Sequence, residues 1–122
     1  MITVLVDAAN VRRSLWPNIP PDELVELCRS WAEDRDVRAV VVFDGEAPGG
    51  LVGERELDAR TELVGTGPES ADDWLIANAS ARAPYWLVTS DRALRSIAGR
   101  DAERTIGGGS FARELRAGGH LL

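Results

Sequence analysis

The chain has 122 residues, a net charge of −6, 44% hydrophobic residues and 28% charged ones. That leaves room for one globular domain with a real core and too little for two, and no apolar run approaches the roughly 20 residues of a membrane helix. The single cysteine, Cys28, cannot form an internal disulfide, so a reducing cytoplasm is the expected compartment.

In chain order, Ile2-Thr3-Val4-Leu5-Val6 is a β-branched and leucine run that stops at Asp7. Such a run reads as a buried central strand. Its early acidic stop is unlike a secretory signal, so none is expected. A short segment, Val11-Arg12-Arg13-Ser14, leads to a loop punctuated by proline, Trp16-Pro17-Asn18-Ile19-Pro20. Pro21-Asp22-Glu23 starts a helix with proline at an early position and acids in the first turn. Leu24, Leu27, Cys28 and Trp31 give that helix one apolar face, where Cys28 reads as a small buried hydrophobe. A second strand, 37–43, stops at Asp44-Gly45, and residues 45–53 form a glycine-rich loop long enough to suggest a lid, a binding loop or disorder.

Residues 61–64 read as a short third strand and Gly65-Thr66-Gly67-Pro68 as a turn. Ser70 caps a helix running to about Ala81, with Asp73 in the place of the capping-box acid. Tyr85–Val88 is a fourth strand, and Ser90 or Asp91 caps a helix to about Ala98. Arg104–Ile106 is a fifth strand, Gly107-Gly108-Gly109 a turn, and Ser110 the cap of a last helix over 111–117 that ends at Gly118. This order predicts a single-domain three-layer α/β/α sandwich over 1–122, with a mainly parallel sheet of about five strands.

Net acidity argues against a nucleic-acid partner, but the charge is uneven. Residues 1–90 carry 16 acids against 8 arginines, and residues 91–122 carry 4 acids against 6 arginines. There is no lysine, so every basic side chain is a guanidinium. Compositional bias is the simpler account of that feature.

The chemistry gathers on aspartates. Three apolar strands deliver Asp7, Asp44 and Asp91 to one end of a parallel sheet, where open α/β sheets place their ligands. Of the pair Asp72-Asp73, the stripe of Ala71, Trp74, Leu75 and Ala79 puts Asp72 at the edge facing the sheet and Asp73 toward solvent. Four close carboxylates cannot all stay ionised unaided, because each raises the others' pKa. All-oxygen ligands suit Mg²⁺ or Mn²⁺, and no His or Cys cluster offers a zinc site. Two such ions would offset four carboxylates and clamp the attacking and leaving oxygens of a phosphodiester. The net charge would then move from −6 to −2.

Plainer readings stand beside these. A strand-end aspartate often caps a helix, Asn10 can simply open one, and Ser90 can simply cap one. Glu69 is either a residue behind the ligands or a first-turn acid serving the helix dipole. Arg12 and Arg13 are phosphate contacts or solvated surface residues. Trp16 stacks a base or anchors its loop in the core. Gly107-Gly108-Gly109-Ser110 looks like a phosphate loop but lacks the P-loop lysine, and His120, the only histidine, lies in the tail.

Asp7-Ala8-Ala9-Asn10, Val41-Val42-Phe43-Asp44-Gly45, Glu69-Ser70-Ala71-Asp72-Asp73 and Val88-Thr89-Ser90-Asp91-Arg92 resemble, in order, the motifs of the NYN domain. The likeness is to its YacP-like branch, within the PIN and flap-nuclease-like superfamily, and spans nearly the whole chain. It implies a PIN-like sheet and a metal-dependent endoribonuclease using Mg²⁺ or Mn²⁺. Asp7, Asp44, Asp72 and Asp91 would be metal-binding acids and Asn10 the polar partner after the first strand. Glu69, Asp73 and Ser90 are candidates for supporting roles, and Arg12, Arg13, Trp16 and Arg92 for RNA contacts. RNA is the implied partner, with a ribosome or another protein as a candidate for presenting it; no membrane role is expected, and the oligomeric state stays open. The competing class is a non-catalytic RNA-binding or assembly module on the same fold. A response-regulator receiver would need a lysine that is absent, and a haloacid-type phosphatase needs an aspartate at position 9, which is Ala9.

Overall fold

The apolar run ending at Asp7 becomes the middle of a six-stranded sheet. The computed structural model describes residues 1–119; His120 lies outside them. In chain order the elements are β1 (Thr3–Asp7), α1 (Ala8–Arg13), α2 (Pro21–Arg35), β2 (Arg38–Phe43), β3 (Gly53–Glu56) and β4 (Thr61–Gly65). They continue with α3 (Ala71–Asn78), a 3-10 turn (Ser80–Arg82), β5 (Tyr85–Val88), α4 (Arg92–Ile97), β6 (Arg104–Ile106) and α5 (Gly108–Gly119). The strand order is β3-β4-β2-β1-β5-β6, parallel throughout except for β3 at one edge.

Alternation along the central strands builds two cores. Val4, Val6 and Val41 point into the layer shared with α1, α2 and α5. Leu5, Val40 and Val42 point the other way, among Trp74, Leu75 and Leu94 of α3 and α4. With both faces covered, β1 and β2 are apolar at nearly every position, as buried parallel strands must be. The three-layer α/β/α sandwich is therefore as the sequence predicts.

Helix α2 keeps its expected face: Leu24, Cys28 and Trp31 are buried, and Trp31 meets the Phe111 ring edge-on at 4.9 Å. The Cys28 thiol, fully enclosed, is pushed up to about 12 by burial and stays a neutral apolar filler.

Five local expectations need correcting. The sheet has six strands, not about five, because Gly53-Glu54-Arg55-Glu56 is itself a strand. Both of its faces are exposed, so it shows no apolar alternation; backbone pairing with β4 holds it, and its charges suit an unprotected sheet edge. The glycine-rich stretch before it is not a free lid. Ala47 pairs with Leu51, Gly45 pairs with Gly67, and Ala47 is buried. Gly65 ends β4 rather than opening a turn, and α3 stops at Asn78 before the 3-10 turn. Finally, α5 begins at Gly108, ahead of Ser110, since the Gly108 N–H has a partner outside the helix, the Ser90 Oγ at 2.8 Å.

Candidate active site

Because β1, β2 and β5 run parallel in register, their carboxyl ends share one rim of the sheet. Asp7 is the last residue of β1 and the N-cap of α1. Asp44 follows β2, and Asp91 is the N-cap of α4 just after β5. Asp72 comes from the first turn of α3. Asp7, Asn10, Arg13, Asp44, Ser70, Asp72 and Asp91 line one cavity of about 250 Å³, with Ala9 completing its wall. Residues as far apart as 7 and 91 thus meet in a single crevice.

Three of the four acids have an oxygen engaged by a hydrogen bond. Asp7 is 4% exposed; its Oδ2 accepts the Thr89 hydroxyl at 3.0 Å, and its Oδ1 takes a long contact of 3.5 Å from the Asn10 N–H. Asp44 Oδ1 accepts the Ala71 N–H at 2.7 Å, tying the end of β2 to the start of α3. Asp91 Oδ1 accepts the Leu94 N–H at 2.9 Å. The capping reading is thus correct for one oxygen of Asp91, and it does not exhaust the group. Among the described residues, no arginine forms an ion pair with Asp7, Asp44, Asp72 or Asp91.

Thr89, which sequence reasoning passed over, is fully buried and links two of these acids. Its hydroxyl accepts the Asp91 N–H at 3.2 Å while donating to Asp7. A hydroxyl residue directly after a buried strand, two before a helix-capping aspartate, was the available signal. Asn10 and Ser90 form a second tie: the Ser90 N–H donates to Asn10 Oδ1 at 2.9 Å, and Ser90 Oγ accepts from Gly108. A Cβ at Gly108 would lie 2.2 Å from Asn10 Oδ1, so only glycine lets α5 come this close. Three strand-end loops are fastened together behind the acids.

The remaining candidates fall elsewhere. Glu69, Asp73 and Arg92 are exposed and do not line the acid cavity. Ser90 supports the loops from outside that lining. The Asp73 N–H is the group that Ser70 Oγ caps, at 3.0 Å. Trp16 is 89% exposed, which removes its core-anchoring reading; the buried Ile19 anchors that loop instead. Arg12 Nε donates to the Ile19 carbonyl at 2.8 Å, so this arginine is oriented rather than freely solvated.

Burial raises the Asp7 carboxyl above its ordinary range; the Thr89 and Asn10 contacts oppose the rise, and the charges of Asp72 and Asp44 add to it. Asp72 is raised first by burial, then by Asp91, Asp44 and Asp73. A carboxyl raised in the folded state binds its proton more tightly there than in the unfolded chain. Its stabilising contribution is complete below the ordinary value of 3.8 and lost as pH rises through the folded value. In EDTA, the stability of the native chain relative to Asp72→Asn is therefore expected to fall as pH climbs from 3.8, measured by urea melts at stepped pH. A difference that stayed flat or grew with pH would remove mutual repulsion from the account.

The donor set consists of carboxylate oxygens, with the Asn10 and Ser70 side chains beside them, which matches a hard cation and not a thiolate or imidazole site. Among the described residues, no three His, Cys, Asp or Glu side chains are arranged to hold a metal ion as they stand. A dry cage is thus the wrong picture. Mg²⁺ keeps several waters and is commonly held by one or two carboxylates, and that kind of site fits acids spread around a cavity wall.

Solved structures share this fold. The crystal structure of Rae1 (YacP) from Bacillus subtilis matches with a TM-score of 0.71 and 23% identity, covering 98% of this chain and 76% of that one. A tryptophan-to-leucine variant of the same protein gives 0.69 and 22%, over 98% and 77%. No protein-family model and no curated protein matches the sequence.

Proposed function

We propose that this chain is a metal-dependent endoribonuclease of the NYN/PIN-like kind, cutting single-stranded RNA at the rim where β1, β2 and β5 end. The observation that carries the reading is the convergence of Asp7, Asp44, Asp72 and Asp91 on one cavity with no arginine paired to any of them. The fold likeness to Rae1 (YacP) supports it. A bound Mg²⁺ or Mn²⁺ would supply charge stabilisation and a water acidic enough to be deprotonated near neutral pH.

The chain's own residues have definable parts. Asp7 and Asp72, the two carboxyls pushed up by burial and by neighbouring acids, gain most from a cation and would hold it. Asp44 and Asp91 each have one oxygen fixed by a backbone N–H, which aims the second, so these two suit water-mediated support. Thr89 fixes the rotamer of Asp7, and Asn10 keeps the loop after β5 against α1. RNA would be the partner, presented by a ribosome or another protein, and a reducing compartment suits the free thiol of Cys28.

A second reading, a non-catalytic RNA-binding or assembly module, is favoured by one observation: no three ligands are preset for a metal among the described residues. Incubating the chain with a single-stranded oligoribonucleotide separates the two. The nuclease produces internal cuts with millimolar Mn²⁺ and none in EDTA. A binding module retards the RNA and leaves it whole in both.

A further inference from the structure

Beside the acid cavity lies a larger one of about 470 Å³, sharing Ala9, Arg13 and Asp44 with it. Its volume lies within the range of small-ligand sites. The floor is apolar, with the nearly buried Phe43 and Ala47 next to Pro48. Four charged side chains of two signs line it besides Asp44: Arg12, Arg13, Asp22 and Glu46. Among the described residues none of these four is in an ion pair, although nine pairs form elsewhere in the molecule. Opposite charges thus border a common space without neutralising one another. Arg12 is the oriented one: its Nε is committed to the Ile19 carbonyl at 2.8 Å, and the residue lines the cavity.

We infer that this basin is a nucleotide subsite for the strand being cut, with Arg12 and Arg13 on a phosphate and Asp22 and Glu46 facing the amino-bearing edge of a base laid over Phe43 and Pro48. The inference rests on the nuclease reading above and deepens it. A guanidinium pair is suited to phosphate oxygens. Carboxylates accept hydrogen bonds from exocyclic amino groups, and single-stranded RNA is read on such edges once its bases are splayed onto apolar or aromatic surfaces. Uracil turns its O4 carbonyl toward the carboxylates where cytosine turns its N4 amino group, and its one edge donor, the ring N3–H, lies a position further along. The subsite therefore discriminates between cytosine and uracil at one position near the cut.

The test uses oligoribonucleotides differing only by C or U at single positions, in two measurements. Cleavage is followed in Mn²⁺, and binding is followed by fluorescence anisotropy in Ca²⁺ as a salt series. The native chain is expected to prefer C over U by about tenfold at one position, and the double variant Asp22→Asn, Glu46→Gln to lose that preference. Arg13→Gln, a change at an exposed residue, is expected to weaken binding about tenfold for every sequence and to lower the salt slope by about 0.7. If the native chain cuts but shows no C-over-U preference, or if the variants match it in both measurements, the subsite is wrong and the nuclease reading stands. Binding with these preferences but without cutting would keep the subsite and overturn the nuclease. Loss of both signals would overturn both.

Discussion

Asp7→Asn is expected to abolish metal-dependent RNA cleavage, by at least about a thousandfold, without destabilising the fold. The rate effect follows from removing the most buried anion of the cavity. A metal's charge stabilisation amounts to several kcal/mol, and about 4 kcal/mol corresponds to roughly three orders of magnitude. The stability side separates this role from plain capping. Asparagine is nearly the same shape, and its carbonyl can still accept the Thr89 hydroxyl that Asp7 Oδ2 accepts now. It also relieves a charge disfavoured by burial and by Asp72 and Asp44. Melting in EDTA should show the variant at least as stable as the native chain at neutral pH. A variant that kept its nuclease rate, or lost activity only because it had lost about 1 kcal/mol or more of stability, would mark Asp7 as a structural cap.

Gly65→Ala is expected to cost about 3 kcal/mol, the upper end for overpacking a tight site. An added Cβ would stand 2.0 Å from the Leu51 carbonyl oxygen and 2.8 Å from the Ala47 nitrogen. Both are backbone atoms, so no side-chain rotation relieves the clash. The segment that would have to yield is the fold-back of Ala47 onto Leu51, which carries Glu46, Ala47 and Pro48 in the wall of the larger cavity. Urea melts should show the loss. Gly49→Ala serves as a comparison, because a Cβ there meets nothing within 4 Å; its positive φ of 83° should cost about 1 kcal/mol. Equal stability of Gly65→Ala and the native chain would mean that the fold-back does not press on β4.

How much of this could be read beforehand depends on where each residue's partners lie. The strand ends at Asp7, Asp44 and Asp91 were legible because buried parallel strands are apolar throughout, so an abrupt acid marks the rim. Placing Asp72 toward the sheet and Asp73 toward solvent followed from helix periodicity alone, and the cavity lining agrees. Strand β3 was hidden because its four residues bury nothing: its reason for existing is the backbone of β4. The start of α5 was hidden for a related reason. Three glycines read as a turn until Ser90 and Asn10, far away in sequence, are known to receive Gly108. Asp44 capping α3 from 27 residues upstream, and Thr89 joining Asp7 to Asp91, are likewise contacts that no local spacing encodes.

The four acids are expected to tolerate one another through a divalent ion, and thermal melting with added Mn²⁺ measures that directly. At a hundredfold excess over its dissociation constant, a ligand specific for the folded chain stabilises it by roughly 2.7 kcal/mol. In a chain of this size that raises Tm on the order of 10 °C. The native chain should show that rise and Asp72→Asn should lose most of it. A Tm unmoved by millimolar Mn²⁺ or Mg²⁺, or raised equally in both chains, would contradict the account.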